Sequence, residues 1–257
     1  MRFVPLASGS KGNATLVELG GTRVLVDAGL ALRELCARLA TLGVEPGEID
    51  AVLLSHEHQD HSRGALKFSM KFDVPVAACW ETLEAMDRSP QAFAGWIDLP
   101  AGGEVRIGQM SVSSFPVPHD AASPVGFVLA ANGERVGIAT DLGHATPEIV
   151  ERLAGCDVLM LESNHDSLLL RDGPYPWRLK ERVSGPSGHL SNSESASLIK
   201  HTVDERCRCV VLAHISEKNN TPELARASAE RALRAGGRDD VELRVATYDR
   251  PLEPVCW

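Results

Sequence analysis

The sequence predicts an α/β protein in which two β-sheets pack together and helices cover them on the outside. Short apolar runs rich in β-branched residues recur along the 257 residues, between segments of helical periodicity. The strand-like runs cluster before the helices in each half of the chain, which favours two packed sheets. No Pro/Gly-rich linker or low-complexity segment divides the chain. We therefore expect a single domain over residues 1–257.

Ten apolar runs have the length and composition of strands. In chain order they span residues 15–19, 22–28, 51–55, 74–78, 110–117, 125–131, 135–140, 157–163, 209–214 and 242–247. Five segments have helical periodicity: 31–43, 61–72, 146–155, 191–203 and 221–237. Start signals support three of these helices. Thr146 and Thr221 each place a capping hydroxyl before a proline, and Ser191 has capping-box spacing to Glu194.

Composition excludes several classes of protein. A 44% hydrophobic content at this length can bury a sizeable core, so disorder is not expected. No uncharged run approaches the ~20 residues of a membrane span, and the first residues are too briefly apolar for a signal peptide. We expect a cytoplasmic protein with six reduced cysteines, since none forms a C-x-x-C pair. The net charge of −9 argues against a broad basic surface for nucleic acid, although a local basic groove remains compatible with it.

The stretch SHEHQDH, residues 55–61, holds three of the nine histidines. It follows a predicted buried strand and precedes a predicted helix. His56 and His58, two apart on an extended chain, can point the same way, while Asp60 and His61 come from the following turn. Imidazoles with a carboxylate suit Zn²⁺, and they would also hold Mn²⁺ or Fe²⁺. The spacing therefore predicts a divalent-metal site in this loop.

These residues resemble the metallo-β-lactamase fold superfamily, whose H-x-H-x-D-H motif is matched by residues 56–61. The resemblance implies a four-layer αββα sandwich of two mixed β-sheets flanked by helices. It also implies a two-metal site completed by later residues at strand ends: His119, Asp141 and His214. The implied ligands are His56, His58 and His119 for one metal and Asp60, His61 and His214 for the other, with Asp141 bridging. Asp27 matches an aspartate that supports such sites from outside the ligand set.

The second half resembles the phosphodiesterase branch of this superfamily, where a glutamate and a histidine outside the ligand set handle the leaving group's proton. Glu162 in MLESNHD and His189 in GHLSN match those positions. Transfer-RNA nucleases of this branch have a histidine before the glutamate and Ala-Thr after it, where this chain has Leu161 and Ser163-Asn164, and they carry a long arm absent here. A closer resemblance is to the bacterial YycJ/WalJ-type proteins, which share SGSKGNA, TDLGH, ESNHD, YPWRLKERVSGPSGHLSN and LAHISEKNN. It implies a metal-dependent phosphodiesterase, and members have been described as DNA exonucleases.

The expected reaction is hydrolysis of a phosphodiester by a hydroxide that two divalent metals activate. We expect Asp60, Glu162 and His189 to be catalytic. His189, oriented by Glu162, would donate a proton to the leaving oxygen or hydrogen-bond the non-bridging oxygens.

The segment YPWRLKER is the candidate substrate-binding loop. Tyr175 and Trp177 offer faces for stacking bases, and Arg178, Lys180 and Arg182 offer charges for phosphates. A plain alternative is a surface loop that its aromatic side chains anchor. The expected substrate is a DNA end, and the 5′ preference rests on the family resemblance alone. SGSKGN, residues 8–13, fits no phosphate-binding loop and is expected to form a tight turn between two strands.

Three other functions remain open at this stage. A small-molecule phosphodiesterase would use the same residues. A thioester hydrolase resembling glyoxalase II would use the same metals without an obvious need for Glu162 and His189. A non-catalytic regulatory protein could keep the metal ligands for folding alone, although the acid–base pair argues against it. The sequence leaves the native metal and the oligomeric state open.

Overall fold

The computed structural model describes all residues 1–257, and it has two β-sheets with helices outside both. The first sheet contains β1 (Arg2–Ala7), β2 (Ala14–Leu19), β3 (Thr22–Val26), β4 (Ala51–Leu53), β5 (Val76–Ala78) and β6 (Trp96–Asp98), in that order. The second contains β7 (Glu104–Ile107), β8 (Met110–Pro116), β9 (Val125–Ala131), β10 (Glu134–Ala139), β11 (Val158–Glu162), β12 (Cys209–Ala213) and β13 (Glu242–Val245). Each sheet is mixed: β1 to β3 and β7 to β10 pair antiparallel, and the remaining neighbours pair parallel.

Nine α-helices complete the fold. They are α1 (Leu32–Thr41), α2 (Gln59–Ser62), α3 (Ala65–Phe72), α4 (Trp80–Ala85), α5 (Pro147–Leu153), α6 (Ser167–Asp172), α7 (Trp177–Val183), α8 (Asn192–Thr202) and α9 (Pro222–Ala235). The three predicted start signals are present. Thr146 and Thr221 accept hydrogen bonds from the third residue after them, and Ser191 and Glu194 form a capping box. No helix combines the length and the apolar character that crossing a bilayer requires.

Three apolar clusters define the layers. The largest lies between the sheets and takes buried side chains from both, among them Val24 of the first and Phe127 of the second. A second cluster lies between the first sheet and helices α1 and α3, and a third between the second sheet and helices α5, α8 and α9. Three cores separating four layers confirm the predicted αββα sandwich of two mixed sheets.

The segment predicted as one helix over residues 61–72 is divided into α2 and α3. Gly64 lies at the break, and its amide donates to the Ala28 carbonyl oxygen at 2.7 Å. A Cβ at this position would lie 2.3 Å from the Leu30 carbonyl oxygen, so only glycine allows the two backbones this approach. The break holds the loop after β4 against the loop after β3.

Several short elements were not predicted. Strand β1 contains Pro5, which lowers its strand signal but is tolerated because β1 is an edge strand. Strands β6 and β7 and helices α4 and α6 have only three to six residues, too few for periodicity to be read. Residues 8–13 connect β1 to β2 by a turn in which the Gly12 amide donates to the Gly9 carbonyl oxygen, as predicted.

Candidate metal and acid–base site

The predicted functional side chains meet where the carboxyl ends of strands from both sheets come together. The loop and turn after β4 supply His56, His58, Asp60 and His61. From the second sheet, His119 lies after β8, Asp141 after β10, Glu162 at the end of β11 and His214 after β12. Because β8, β10, β11 and β12 run in the same direction, their carboxyl ends share one edge. The fold thus brings these eight side chains, which come from distant parts of the sequence, into one site.

The side chains form four overlapping groups, in each of which the ligand atoms lie within 4.8 Å of one another. The groups are His56, His58 and His119; His56, His61 and Asp141; Asp60, His61 and His214; and Asp141, Glu162, His189 and His214. All seven predicted ligands belong to these groups, and shared members join the groups into one cluster. Asp141 is central, with one carboxylate oxygen 3.2 Å from His61 Nε2 and the other 3.8 Å from His119 Nε2.

Several polar atoms in the cluster are buried without a hydrogen-bond partner. These atoms are His56 Nε2, His214 Nε2 and Asp141 Oδ2. Leaving such atoms buried and unpaired costs about 1–3 kcal/mol each, so folded proteins rarely tolerate it without a bound group. Imidazole nitrogens and a carboxylate oxygen are the donor set that zinc and similar divalent ions prefer. The residues present therefore fit a divalent metal.

The outer nitrogen of each of four cluster histidines has a polar partner. His61 Nδ1 lies 2.7 Å from Asp27 Oδ2, and His56 Nδ1 lies 3.0 Å from Ser55 Oγ. The Ser55 hydroxyl donates onward to Asp27, so one carboxylate supports two histidines. His119 Nδ1 lies 3.1 Å from the Gly188 carbonyl oxygen, and His214 Nδ1 contacts Glu162. Such partners fix the tautomer that leaves Nε2 free for a metal.

Three residues of the site, each within two residues after a strand, have left-handed backbones: Asp27 (φ 61°), Asp141 (φ 56°) and His214 (φ 53°). Non-glycine residues adopt this conformation only when the surrounding structure holds them in it, and such strain clusters at functional sites. At each position the chain turns sharply after a strand. The side chain is thereby placed at the sheet edge and not on a sheet face.

Charge interactions set the protonation of the buried groups. Burial alone would raise the pKa of Asp141, but the nearby His214 and His61 hold it well below its usual range. Burial and the charge of His61 together lower the pKa of His56 well below its usual value. Although burial opposes it, the neighbouring Asp141 raises the pKa of His61 well above its usual value and that of His214 to about 10. Because a neutral imidazole and an ionised carboxylate are the forms that bind metal, a bound ion would displace protons from these two histidines.

Glu162 is fully buried and accepts four hydrogen bonds. Its Oε1 lies 2.8 Å from His189 Nδ1 and 2.9 Å from His214 Nδ1. Its Oε2 accepts from the amides of Leu142 and Leu190, both at 3.0 Å. Although burial opposes ionisation, the charge of His189 and these hydrogen bonds lower the pKa of Glu162 to about 2. The link to His189 was predicted; the link to His214 was not.

His189 is positioned beside the cluster and is partly open to solvent. Burial alone would lower its pKa, but the charge of Glu162 and the hydrogen bond to it raise the pKa above the usual value. Glu162 holds Nδ1, so Nε2 is the nitrogen free to exchange a proton with another group. The geometry is that of a general acid oriented by a carboxylate.

Residues outside the predicted set also hold the site in place. Asn13 Nδ2 lies 3.0 Å from His61 Nε2, and the Asn13 amide donates to the Asp60 carbonyl oxygen at 2.7 Å. Asn164 Nδ2 donates to the His214 carbonyl oxygen, and Ser8 Oγ accepts from the His214 amide. Only a weak signal in the sequence marks these contacts, because each residue lies in a polar stretch next to a strand end.

The predicted substrate-binding loop differs in the structure, since Trp177–Val183 forms helix α7. Arg178 and Arg182 are four residues apart and share a helix face, while Lys180 lies on another face. Arg182 Nε lies 2.5 Å from Asp120 Oδ2, and Asp120 Oδ1 lies 3.3 Å from His119 Nε2. Lys180 Nζ donates to the Arg171 carbonyl oxygen, and Tyr175 is half-buried. Of the three cations, Arg182 is therefore the one linked directly to the cluster.

Comparisons with known proteins identify the family of this chain. The sequence matches the family described as Beta-lactamase superfamily domain over residues 22–215. Exodeoxyribonuclease WalJ of Streptococcus pneumoniae is 34% identical over 230 residues, 87% of this chain and 85% of WalJ. Exodeoxyribonuclease YycJ of Bacillus anthracis is 32% identical over 243 residues, 92% of this chain and 90% of YycJ. The metallo-β-lactamase fold protein YhfI from Bacillus subtilis has the same fold, with a TM-score of 0.73 at 15% identity over 98% of both chains. This chain therefore belongs to the β-lactamase superfamily, as a metal-dependent hydrolase of the metallo-β-lactamase fold related to WalJ and YycJ.

Proposed function

We propose that this protein is a dinuclear-metal exodeoxyribonuclease that removes nucleotides from a DNA end, in the 5′-to-3′ direction. The observation that carries the proposal is the pairing of a seven-ligand cluster with His189, which Glu162 holds against that cluster. Relatives above 30% identity that are named exodeoxyribonucleases support DNA as the substrate. The direction of degradation follows from the family resemblance.

In the proposed assignment, one ion is held by His56, His58 and His119 and the other by Asp60, His61 and His214, with Asp141 shared between them. The bound ions, Zn²⁺ or Mn²⁺, would supply Lewis acidity that activates water and offsets charge on the phosphoryl oxygens. Asp27 and Glu162 orient histidines through their outer nitrogens.

His189 handles the proton in this mechanism. Although burial opposes it, Glu162 raises the pKa of His189, which favours the protonated imidazole whose Nε2 can donate to the oxygen that leaves the phosphorus. Glu162 keeps the ring oriented and stabilises its positive charge, because it accepts from Nδ1. A thioester hydrolase has no evident use for this pair.

Incubation with labelled polymers tests the proposal. Protein loaded with Zn²⁺ or Mn²⁺ is given DNA and RNA of one sequence, labelled at either the 5′ or the 3′ end. We expect stepwise release of nucleotides from DNA, beginning at the 5′ end. Turnover of bis-p-nitrophenyl phosphate with no polymer degradation would favour a small-molecule phosphodiesterase. Turnover of S-lactoylglutathione alone would favour a thioester hydrolase, and no turnover of any substrate would favour a metal-binding regulatory protein.

Metal content provides a further prediction. Elemental analysis of reloaded protein should give about two divalent ions per chain, and chelation should lower the melting temperature by about 5 °C or more, since an ion that binds only the folded state stabilises it. His58→Ala and His214→Ala should each lose about one ion, because each belongs to only one of the two proposed ligand sets. One ion in the reloaded wild type would contradict the dinuclear assignment.

Salt dependence tests the role of Arg182. If its guanidinium leaves Asp120 to bind a phosphate, Arg182→Ala should reduce the slope of log affinity against log salt for DNA by about 0.7–0.9. Arg234→Ala on α9 is the matched control, because the two side chains are similarly exposed, at 59% and 64%. Binding is measured with chelated protein to prevent cleavage. Equal slopes for wild type and Arg182→Ala would assign Arg182 to the fold alone.

A further inference from the structure

A cavity of about 200 Å³ lies between helices α6 and α7. His165, Trp177 and Ser184 are among its lining residues. His165 is the third residue after Glu162, and its carbonyl oxygen accepts from the Asn192 amide at 2.8 Å. The Val183 carbonyl oxygen, at the end of α7, accepts from the His189 amide at 2.8 Å. The walls of the cavity are therefore joined directly to the segment that carries His189.

His165 has an unused hydrogen-bonding group in this wall. The residue is 2% exposed, and its Nδ1 is buried without a partner. Burial lowers the pKa of His165, which keeps the imidazole neutral, with one nitrogen as donor and the other as acceptor. Leaving Nδ1 buried and unpaired is costly, so a small movement of the ring that brought this nitrogen to a hydrogen-bonding group in the cavity would be favourable. The neutral imidazole matches the donor and acceptor edges of a nucleobase.

Trp177 provides an aromatic surface at the same cavity. It is 70% exposed, the largest exposure among the large hydrophobic side chains of this protein. An indole with so much open surface beside a cavity is suited to stacking. Base–aromatic stacking contributes about 1–3 kcal/mol per base in proteins that bind single strands.

The charges around the cavity are balanced, which argues against a phosphate site. Lys180 lines the cavity, and its ammonium donates to the Arg171 carbonyl oxygen at 2.6 Å. The Arg171 guanidinium is occupied by both carboxylate oxygens of Asp172 at 2.8 and 2.9 Å. The Glu181 carboxylate also belongs to the lining. The occupant that fits is neutral, planar and able to hydrogen-bond.

We propose that this cavity holds the base of a nucleotide adjoining the scissile phosphodiester, with Trp177 stacking on the base and His165 hydrogen-bonding its edge. The inference rests on the proposed exodeoxyribonuclease function. It adds a base-binding subsite, in which His165 is a new substrate-contacting residue. It also names the nucleotide base as the stacking partner of Trp177.

A cycle between protein and substrate tests the subsite. Wild type and Trp177→Ala are compared on DNA with normal bases and on DNA with an abasic residue at the first or the second position of the degraded end. Trp177→Ala should lower kcat/KM about 5- to 150-fold on normal DNA, the range expected for one stacked base. When the abasic residue stands at the position whose base the cavity would hold, Trp177→Ala and wild type should have nearly the same kcat/KM. If Trp177→Ala lowered kcat/KM by the same factor on all three substrates, the proposal would be overturned.

Two further variants make the cycle specific. Trp80→Ala removes another half-exposed tryptophan, 50% exposed on α4, and should leave kcat/KM unchanged. His165→Phe keeps a ring in the wall but removes its hydrogen-bonding nitrogens, and it should lower kcat/KM only on substrates that carry the base. If His165→Phe does not fold, the Trp177→Ala cycle still decides the outcome.

Direct binding separates the subsite from the nuclease activity. Equilibrium dialysis of chelated full-length protein compares thymidine 5′-monophosphate with 2-deoxyribose 5-phosphate, which lacks the base. We expect tighter binding of thymidine 5′-monophosphate, weakened at least 5-fold in Trp177→Ala. Equal binding of the two compounds, or no change in the variant, would overturn the subsite. Failure of wild type to degrade any DNA would instead overturn the proposed function, and this titration would still decide the subsite.

Discussion

Glu162→Gln is expected to lower kcat for phosphodiester hydrolysis by about 10²–10⁴-fold and to weaken metal binding by about 10–100-fold. Four donors converge on the Glu162 carboxylate: two imidazole nitrogens and two backbone amides. A glutamine has one acceptor oxygen where the glutamate has two, so some of these donors lose their acceptor inside the protein. Because one of them belongs to His214, the loss should reach a proposed metal ligand as well as His189. Steady-state kinetics and elemental analysis measure the two effects separately.

His189→Ala is the comparison that separates the two roles of Glu162. It should lower kcat in the same range while metal content stays at the wild-type value, since His214 keeps its carboxylate partner. The double variant should resemble Glu162→Gln, because residues in one hydrogen-bonded network do not contribute additively. Full metal content in Glu162→Gln would show that the 2.9 Å contact with His214 has no part in holding the ion.

Asp141→Asn is expected to abolish activity, with a loss of about 10³-fold or more, as when a group of residues acting as one unit is dismantled. Asp141 is buried at the centre of the cluster, close to His61, His119 and His214. An amide removes the negative charge that would hold two cations close together, and it raises the number of buried donors among the histidines. Both ions should therefore bind more weakly. Activity titrated against added metal measures this.

Asp157→Asn is the matched control for Asp141→Asn. Asp157 is an equally buried aspartate that pairs with Arg206, and it lies at the opposite end of β11 from Glu162. Its replacement should lower the melting temperature without changing metal content or kcat per folded molecule. If Asp157→Asn and Asp141→Asn lost the same activity, the effect of Asp141 would be one of folding.

The sequence was informative where function follows from neighbouring residues. The SHEHQDH stretch placed four proposed ligands together because they are local, and its position between a strand and a helix follows from hydrophobic periodicity. His119, Asp141 and His214 could be proposed because strand ends were recognisable and the family resemblance implied further ligands, and the structure places all three in the same cluster. The sandwich itself was confirmed, because its longer strands and helices have clear patterns and helix caps.

Other features depend on tertiary geometry, which residue spacing does not encode. The approach of His214 to Glu162 spans 52 residues and requires β11 and β12 to be paired in register. Helix α7 was read as a loop because its seven residues are too few for a clear period and Pro174 and Pro176 precede it. The cavity at His165 forms only when α6 and α7 pack beside the strand end. No local pattern marks it.

The order of assembly of the site follows from the way its ligands are divided between the sheets. In the proposed assignment, each ion takes two ligands from the loop after β4 and one histidine from a strand end of the second sheet. Neither sheet alone offers the complete ligand set proposed for either ion, so tight binding requires that the sheets have already packed. Closing loops of this length is slow and entropically costly, and a bound ion cannot offset that cost before the strands meet. Metal loading is therefore expected to be a late event in maturation. When the first half of the chain has left the ribosome and the second half has not, only part of each proposed ligand set is present.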